Sequence, residues 1–151
     1  MSSSAIVKEP IDPAYVLAQI GSDQDGASIL FVGVVRDHND GRSVGGVRYD
    51  TYEEMAAQVL AEIVDEAGRS ANTARVAAVH RVGELKVGEV SVAIAVSSPH
   101  RAEAYHASRY IIEEIKKRLP VWKKERYSDG AEGWVEGQTP DPAPAPHVDG
   151  S

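Results

Sequence analysis

Apolar and polar positions alternate between two periods along this chain, and the switches divide it into elements. Asp12-Pro13 supplies an N-cap followed by proline at the first helical position, so AYVLAQI reads as a short helix ended by Gly21. GASILFVGVVRD is β-rich and apolar on both alternating sets, Ser28, Leu30, Val32 and Val34 against Ile29, Phe31, Gly33 and Val35, which predicts a strand buried on both faces. DHNDGRSVGG follows as a long polar loop and VRYDTY as a second strand. Met55, Ala56, Val59, Leu60, Ile63, Val64 and Ala67 recur at three-and-four spacing and predict a helix from about Tyr52 to Ala67. ARVAAVHRVG and EVSVAIAVSS read as two more strands joined through Gly83 to Gly88. HRAEAYHASRYIIEEIKKRL is helical, with Tyr105, Ile111, Ile112, Ile115 and Leu119 facing inward and Pro120 stopping it. A final short strand falls in WKKERYS or GWVEG.

This order predicts an α+β sandwich with helices on one face of a largely antiparallel sheet. A chain of 151 residues with 42% hydrophobic content suits one domain, assigned to 11–138. Residues 1–10 read as a flexible N-terminus, and 139–151, rich in Pro and Ala, as a disordered tail.

Composition narrows the functional classes. Without cysteine the chain has no disulfide, thiolate nucleophile or cysteine-rich zinc site, and any sulfur chemistry must draw its sulfur from elsewhere. No secretory leader or membrane span is legible, so a cytoplasmic protein is expected. A net charge of −7 argues against nucleic acid or anionic membrane as partner. The charge is nonetheless uneven: between Ser98 and Arg126 eight Lys and Arg residues face four glutamates. Such an island suits a small anionic ligand or an acidic tail, and it is equally what a solvated helix face carries.

Within the island and near it, polar groups interrupt apolar segments. Arg36 ends the most hydrophobic strand, where it must reach solvent, pair with Asp37 or Asp40, or meet an anion. His100-Arg101 lies where a strand hands over to a helix, so backbone N–H groups, the helix dipole and a guanidinium can meet one phosphate; N-capping by Ser98 accounts for part of the same pattern. Lys116 occupies the last turn of that helix, where a cation also complements the dipole, and Lys123 follows past Pro120. If the chain turns back there, the two ammonium groups approach one another and Arg101. Mutual repulsion then lowers a lysine toward the range useful for proton transfer. His80-Arg81 reads as a structural hydrogen-bonder before the Gly83 turn, and His38 lacks a second histidine at metal-ligand spacing.

Taken together, FVGVVRDHNDG, YDTYEEMA, HRVGELKVGE, VSSPHRAEAY, IKKRLPVWKKE and GWVE resemble the catalytic large subunits of molybdopterin synthase, from about Gly26 to Glu136. The resemblance implies an α/β hammerhead fold with a small antiparallel β subdomain, and conversion of cyclic pyranopterin monophosphate to the dithiolene of molybdopterin. It implies no tightly bound cofactor and no metal. Sulfur would come from the C-terminal thiocarboxylate of a small ubiquitin-like subunit, in a heterotetramer built on a dimer of large subunits. Carried over by position, Lys116 and Lys123 would be catalytic. Val34, Val35, Arg36, His100, Arg101, Lys124 and Glu125 would bind substrate. Some members carry a basic residue where this chain has Gln138. The rival expectation is a non-catalytic module that binds an acidic or C-terminal peptide tail through the same basic island.

Overall fold

The computed structural model describes residues 2–71 and 75–135. Its first sheet has four strands in the order β1 (Ser2–Val7), β5 (Arg75–Arg81), β7 (Val90–Ser98), β2 (Ala27–Val34). β1 runs parallel to β5, while β5–β7 and β7–β2 are antiparallel. β7 is buried from Ser91 to Ser98, and β2 lies at an edge with Ser28 and Val34 exposed. β2 is covered on both sides as expected, Ile29 and Phe31 packing against one core and Leu30 against the other, but its edge position leaves it only partly buried, because hydrophobic content alone does not distinguish an edge strand from a central one.

Alternation along β5 and β7 sorts side chains onto two faces. Val76, Ala78, Val92, Ile94 and Val96 meet α2 (Glu53–Ser70) and α3 (Arg101–Arg118), whose Leu60, Ile63, Ala104, Ala107 and Ile111 complete the main core. Ala77, Ala93 and Ala95 meet Val16 of α1 (Pro13–Ala18) on the other face. The helices thus lie on both faces rather than one. α1 starts as its sequence dictates, the Asp12 carboxylate accepting from the Ala14 N–H at 3.1 Å. In α3 the buried stripe uses small residues, which lets the helix sit close to the sheet, and Tyr105 is 65% exposed instead of facing inward.

A second, wholly antiparallel sheet joins β3 (His38–Asn39), β4 (Arg42–Thr51), β8 (Val121–Tyr127) and β9 (Glu132–Trp134), with β6 (Gly83–Lys86) also paired to β4. Val35, Val44, Val47 and Leu85 form its core. The polar stretch expected as a loop is a hairpin. Asp40 and Gly41 both have positive φ, 50° and 78°, the backbone that a two-residue connection with the right twist needs. The Gly83–Gly88 connection likewise contains a strand, and both WKKERYS and GWVEG supply strands.

Residues 2–7 are not a flexible lead but the parallel edge strand, in register from Ser2 opposite Val76 to Val7 opposite Arg81, with Ile6 packed against the main core. Three serines in succession carry no alternation, so only backbone pairing to β5 reveals this strand. The expected tail at 139–151 lies outside the described residues. Among the described residues no helix is long and apolar enough to cross a membrane.

Candidate active site

The lysines come together because α3 and β8 are joined almost without a loop. Proline cannot continue a helix, so Leu119 turns extended, with φ −69° and ψ 124°. The Thr51 hydroxyl then donates to the Pro120 carbonyl at 2.9 Å and ties the corner to β4. β8 starts at Val121, and its alternation puts Lys123 and Glu125 on one face and Trp122 and Lys124 on the other. Trp122 is 5% exposed and meets the Tyr52 ring edge-on at 5.0 Å, which anchors the strand.

Arg36 reaches the same corner from the first sheet. The β2–β7 register shifts between Gly33 and Val34, a bulge that re-aims the chain. A Cβ on Gly33 would stand 2.7 Å from the Val92 side chain, so only glycine permits this approach. Val35 then locks the path: its N–H donates to the Glu89 carbonyl at 3.0 Å, and its carbonyl accepts from the Gly88 N–H at 2.8 Å. Val34 is exposed beside it. Arg36 forms no ion pair among the described residues; Asp37 instead pairs with His38 at 2.8 Å.

The electrostatics of Lys123 record this convergence. Burial holds its ammonium below the usual lysine range, Glu125 opposes the shift, and the charges of Lys116 and Arg36 add to it. Glu125 is 3% exposed and accepts from Asn39 Nδ2 at 3.1 Å. Tyr49 stands opposite Lys123 in the β4–β8 register. Burial pushes its phenol up, the Ser91 hydroxyl opposing and Glu125 adding. The corner therefore offers three cations, a buried carboxylate and a phenol, a set able to hold an anion and to move protons beside it.

The other expected residues stand elsewhere in the chain's own fold. Lys124, on the opposite face of β8, pairs with Glu132 at 3.2 Å and lies over Trp134 at 5.2 Å. Arg101 begins α3 with His100 as its N-cap, fifteen residues before Lys116, so about 22 Å of helix separates Arg101 from Lys116. The expected approach of Lys116 to Arg101 within one chain is corrected accordingly. His100 is the N-cap and makes no side-chain cap bond. Ser98 Oγ accepts from the His100 N–H at 3.3 Å and donates to its carbonyl at 2.6 Å, which shapes the turn and leaves the first helical turn uncapped by a side chain. Asn39 and Tyr49 were absent from the sequence-based set. The alternation of VRYDTY assigns Tyr49 a face, but which strand lies opposite is a tertiary fact. No cluster of three potential metal ligands occurs among the described residues.

Comparison with known proteins agrees with this architecture. The chain is 42% identical over 130 residues to molybdopterin synthase catalytic subunit 1 of Mycobacterium tuberculosis, covering 86% of this chain and 88% of that one. It is 44% identical over 134 residues to the molybdopterin synthase catalytic subunit of Halalkalibacterium halodurans, covering 89% and 85%. The crystal structure of molybdopterin synthase from Staphylococcus aureus superposes with a TM-score of 0.81 at 38% identity, over 86% of this chain and 94% of that one. Residues 6–118 match the family model described as MoaE protein, and with this agreement of sequence, fold and clustered basic residues the chain belongs to the MoaE family.

Proposed function

We propose that this protein is the catalytic subunit of a molybdopterin synthase, transferring sulfur from the C-terminal thiocarboxylate of a small partner subunit to cyclic pyranopterin monophosphate. The observation that carries the reading is the corner where Lys116, Lys123 and Arg36 act on one another around a largely buried lysine. In each transfer the thiocarboxylate sulfur forms a bond to a side-chain carbon of the pterin and a C–O bond at that carbon breaks, its oxygen leaving as water or with the phosphate whose ring opens. Water then attacks the acyl carbon, the acyl C–S bond breaks, and the partner leaves as a carboxylate. Two transfers complete the dithiolene. Arg36 and Lys116 offset the negative charge of phosphate and oxyanion, and Lys123 moves the protons. Val34, Val35 and Glu125 line this corner, and Lys124 supports β8 from behind.

His100 and Arg101 fit the same site if a second copy of the chain brings its α3 N-terminus to this corner. Two observations support that arrangement: a helix start without a side-chain cap, suited to an anion, and a distance along α3 too great for one chain to span. The working assembly is accordingly a dimer of this chain with one small subunit on each copy.

Mixing the protein with thiocarboxylated small subunit and cyclic pyranopterin monophosphate tests the reading. Wild type forms the dithiolene, while Lys116→Ala and Lys123→Ala fold normally and lose at least about a hundredfold in rate. Tight binding of a cognate small subunit with no turnover would instead support the peptide-binding module.

A further inference from the structure

The sulfur-transfer reading leaves one buried charge without a task. Asp25 lies between the Gly21 turn and β2, and its side chain is only 2% exposed. Its carboxylate pairs with Arg75, Nε at 3.3 Å and Nη1 at 3.4 Å, and accepts from the Ser97 hydroxyl at 2.8 Å. Arg75 opens β5 and stands opposite Ser97 near the end of β7, so one carboxylate fastens two neighbouring strands to the segment that leads into β2. Taking an ion pair out of water costs about as much as its attraction returns, so apolar side chains would stabilise the fold at least as well. The bonds around Asp25 point to a fixed geometry instead.

That geometry ends at the start of α3. The Gly26 N–H donates to the Pro99 carbonyl at 3.3 Å, and a Cβ on Gly26 would stand 2.8 Å from the same oxygen, so the segment carrying Asp25 reaches this turn only because a glycine follows it. Ser97 and Ser98 are fully buried, whereas Pro99, His100 and Arg101 above them are exposed. Ser98 Oγ in turn bonds both backbone groups of His100. Every residue from Ser97 to His100 is therefore held by a hydrogen bond, and two of these bonds end on Asp25 and Gly26. Arg101 follows directly as the first residue of α3.

We propose that Asp25 is a positioning residue of the substrate site: by fastening Ser97 from beneath, with Gly26 holding Pro99, it fixes the turn that presents His100 and Arg101 to the substrate anion. The effect on substrate affinity rests on the placement of His100 and Arg101 in the site under the sulfur-transfer reading; the ordering of the turn does not.

Two measurements on the full-length protein test this, amide hydrogen exchange and calorimetric titration with cyclic pyranopterin monophosphate. Asp25→Ala is expected to speed exchange at the Gly26 and His100 amides by at least about tenfold while the amides of β8 keep their wild-type rates. It is also expected to weaken pterin binding by about tenfold. Ser97→Ala, which removes one hydroxyl and leaves the ion pair in place, carries the same test if Asp25→Ala does not fold, with an expected loss of about fivefold. Asp25→Asn, whose amide oxygen can still accept from Ser97, keeps the affinity within about twofold of wild type. Unchanged exchange at the turn, or equal losses in Asp25→Ala and Asp25→Asn, overturns the proposal. Faster exchange with unchanged affinity is read against Arg101→Ala. If Arg101→Ala weakens binding, Asp25 serves the fold alone and the positioning role falls while the sulfur-transfer reading stands. If Arg101→Ala also binds pterin as wild type does, the placement of Arg101 in the site is removed and the proposal with it.

Discussion

Lys123 shows how one residue type acquires a special property from its surroundings. Desolvation comes first in lowering its pKa, and Lys116 and Arg36 act in the same direction against Glu125. Signs for its neighbours follow from Coulomb's law. Lys116→Met removes a repelling charge and raises the Lys123 midpoint, whereas Glu125→Gln removes an attracting one and lowers it; 13Cε NMR titration reads both, and shifts of the same sign would contradict the arrangement. Where Lys123 acts as base, the rate falls as pH drops through its midpoint, so the acid limb moves with these variants. The chain order Lys-x-x-x-Pro-x-x-Lys made the pair legible in the sequence, since proline must end the helix. Glu125's burial and its bond from Asn39, 86 residues away, were not legible, because nothing local distinguishes that glutamate from a solvated one.

Between elements, the tie that holds α3 in place is polar as well as apolar. Arg118 donates to both oxygens of Glu66 in α2, at 2.7 and 3.0 Å, and to Glu114, while Tyr110 donates to Glu66 at 2.7 Å. The Arg118 and Tyr110 hydrogen bonds hold the Glu66 carboxyl at about 2, below its ordinary 4.5. A carboxylate depressed on folding contributes stability that is fully present above its unfolded pKa and is lost as pH falls from about 4.5 toward about 2. Glu66→Gln is therefore expected to destabilise at pH 7 by about 1 kcal/mol, a modest figure because both side chains are about a third exposed. The difference from wild type vanishes near pH 2; urea melts across that range check it, and a constant difference would assign the effect to packing. Helix periodicity revealed α2 and α3 in the sequence. That they share a face while α1 takes the other depends on which alternate residues of β5 and β7 each one covers.

At the scale of the molecule, α3 passes into β8 of the second sheet, and the corner proposed as the active site forms at that junction. In the proposed dimer each site takes Lys123 from one copy and Arg101 from the other. Lys123→Ala and Arg101→Ala proteins, each inactive alone, are then expected to regain about a quarter of wild-type activity after unfolding and refolding together, since random pairing makes half the dimers mixed and each mixed dimer has one intact site. No recovery, with mixed dimers demonstrated by mass spectrometry, would put both residues in one copy's site. The sequence by itself determined the α2 and α3 segments, the strands β2, β5 and β7, the helix-ending Pro120 and the basic residues that flank it. These follow from periodicity, backbone sterics and charge, all local properties of the chain. Only the tertiary structure decided that the serine-rich start is an edge strand, that the polar stretch after Arg36 is a hairpin, and that Arg36 reaches Lys123 while Arg101 lies a helix-length away. Strand partners and through-space distances depend on pairing between segments far apart in sequence, and no local pattern encodes them.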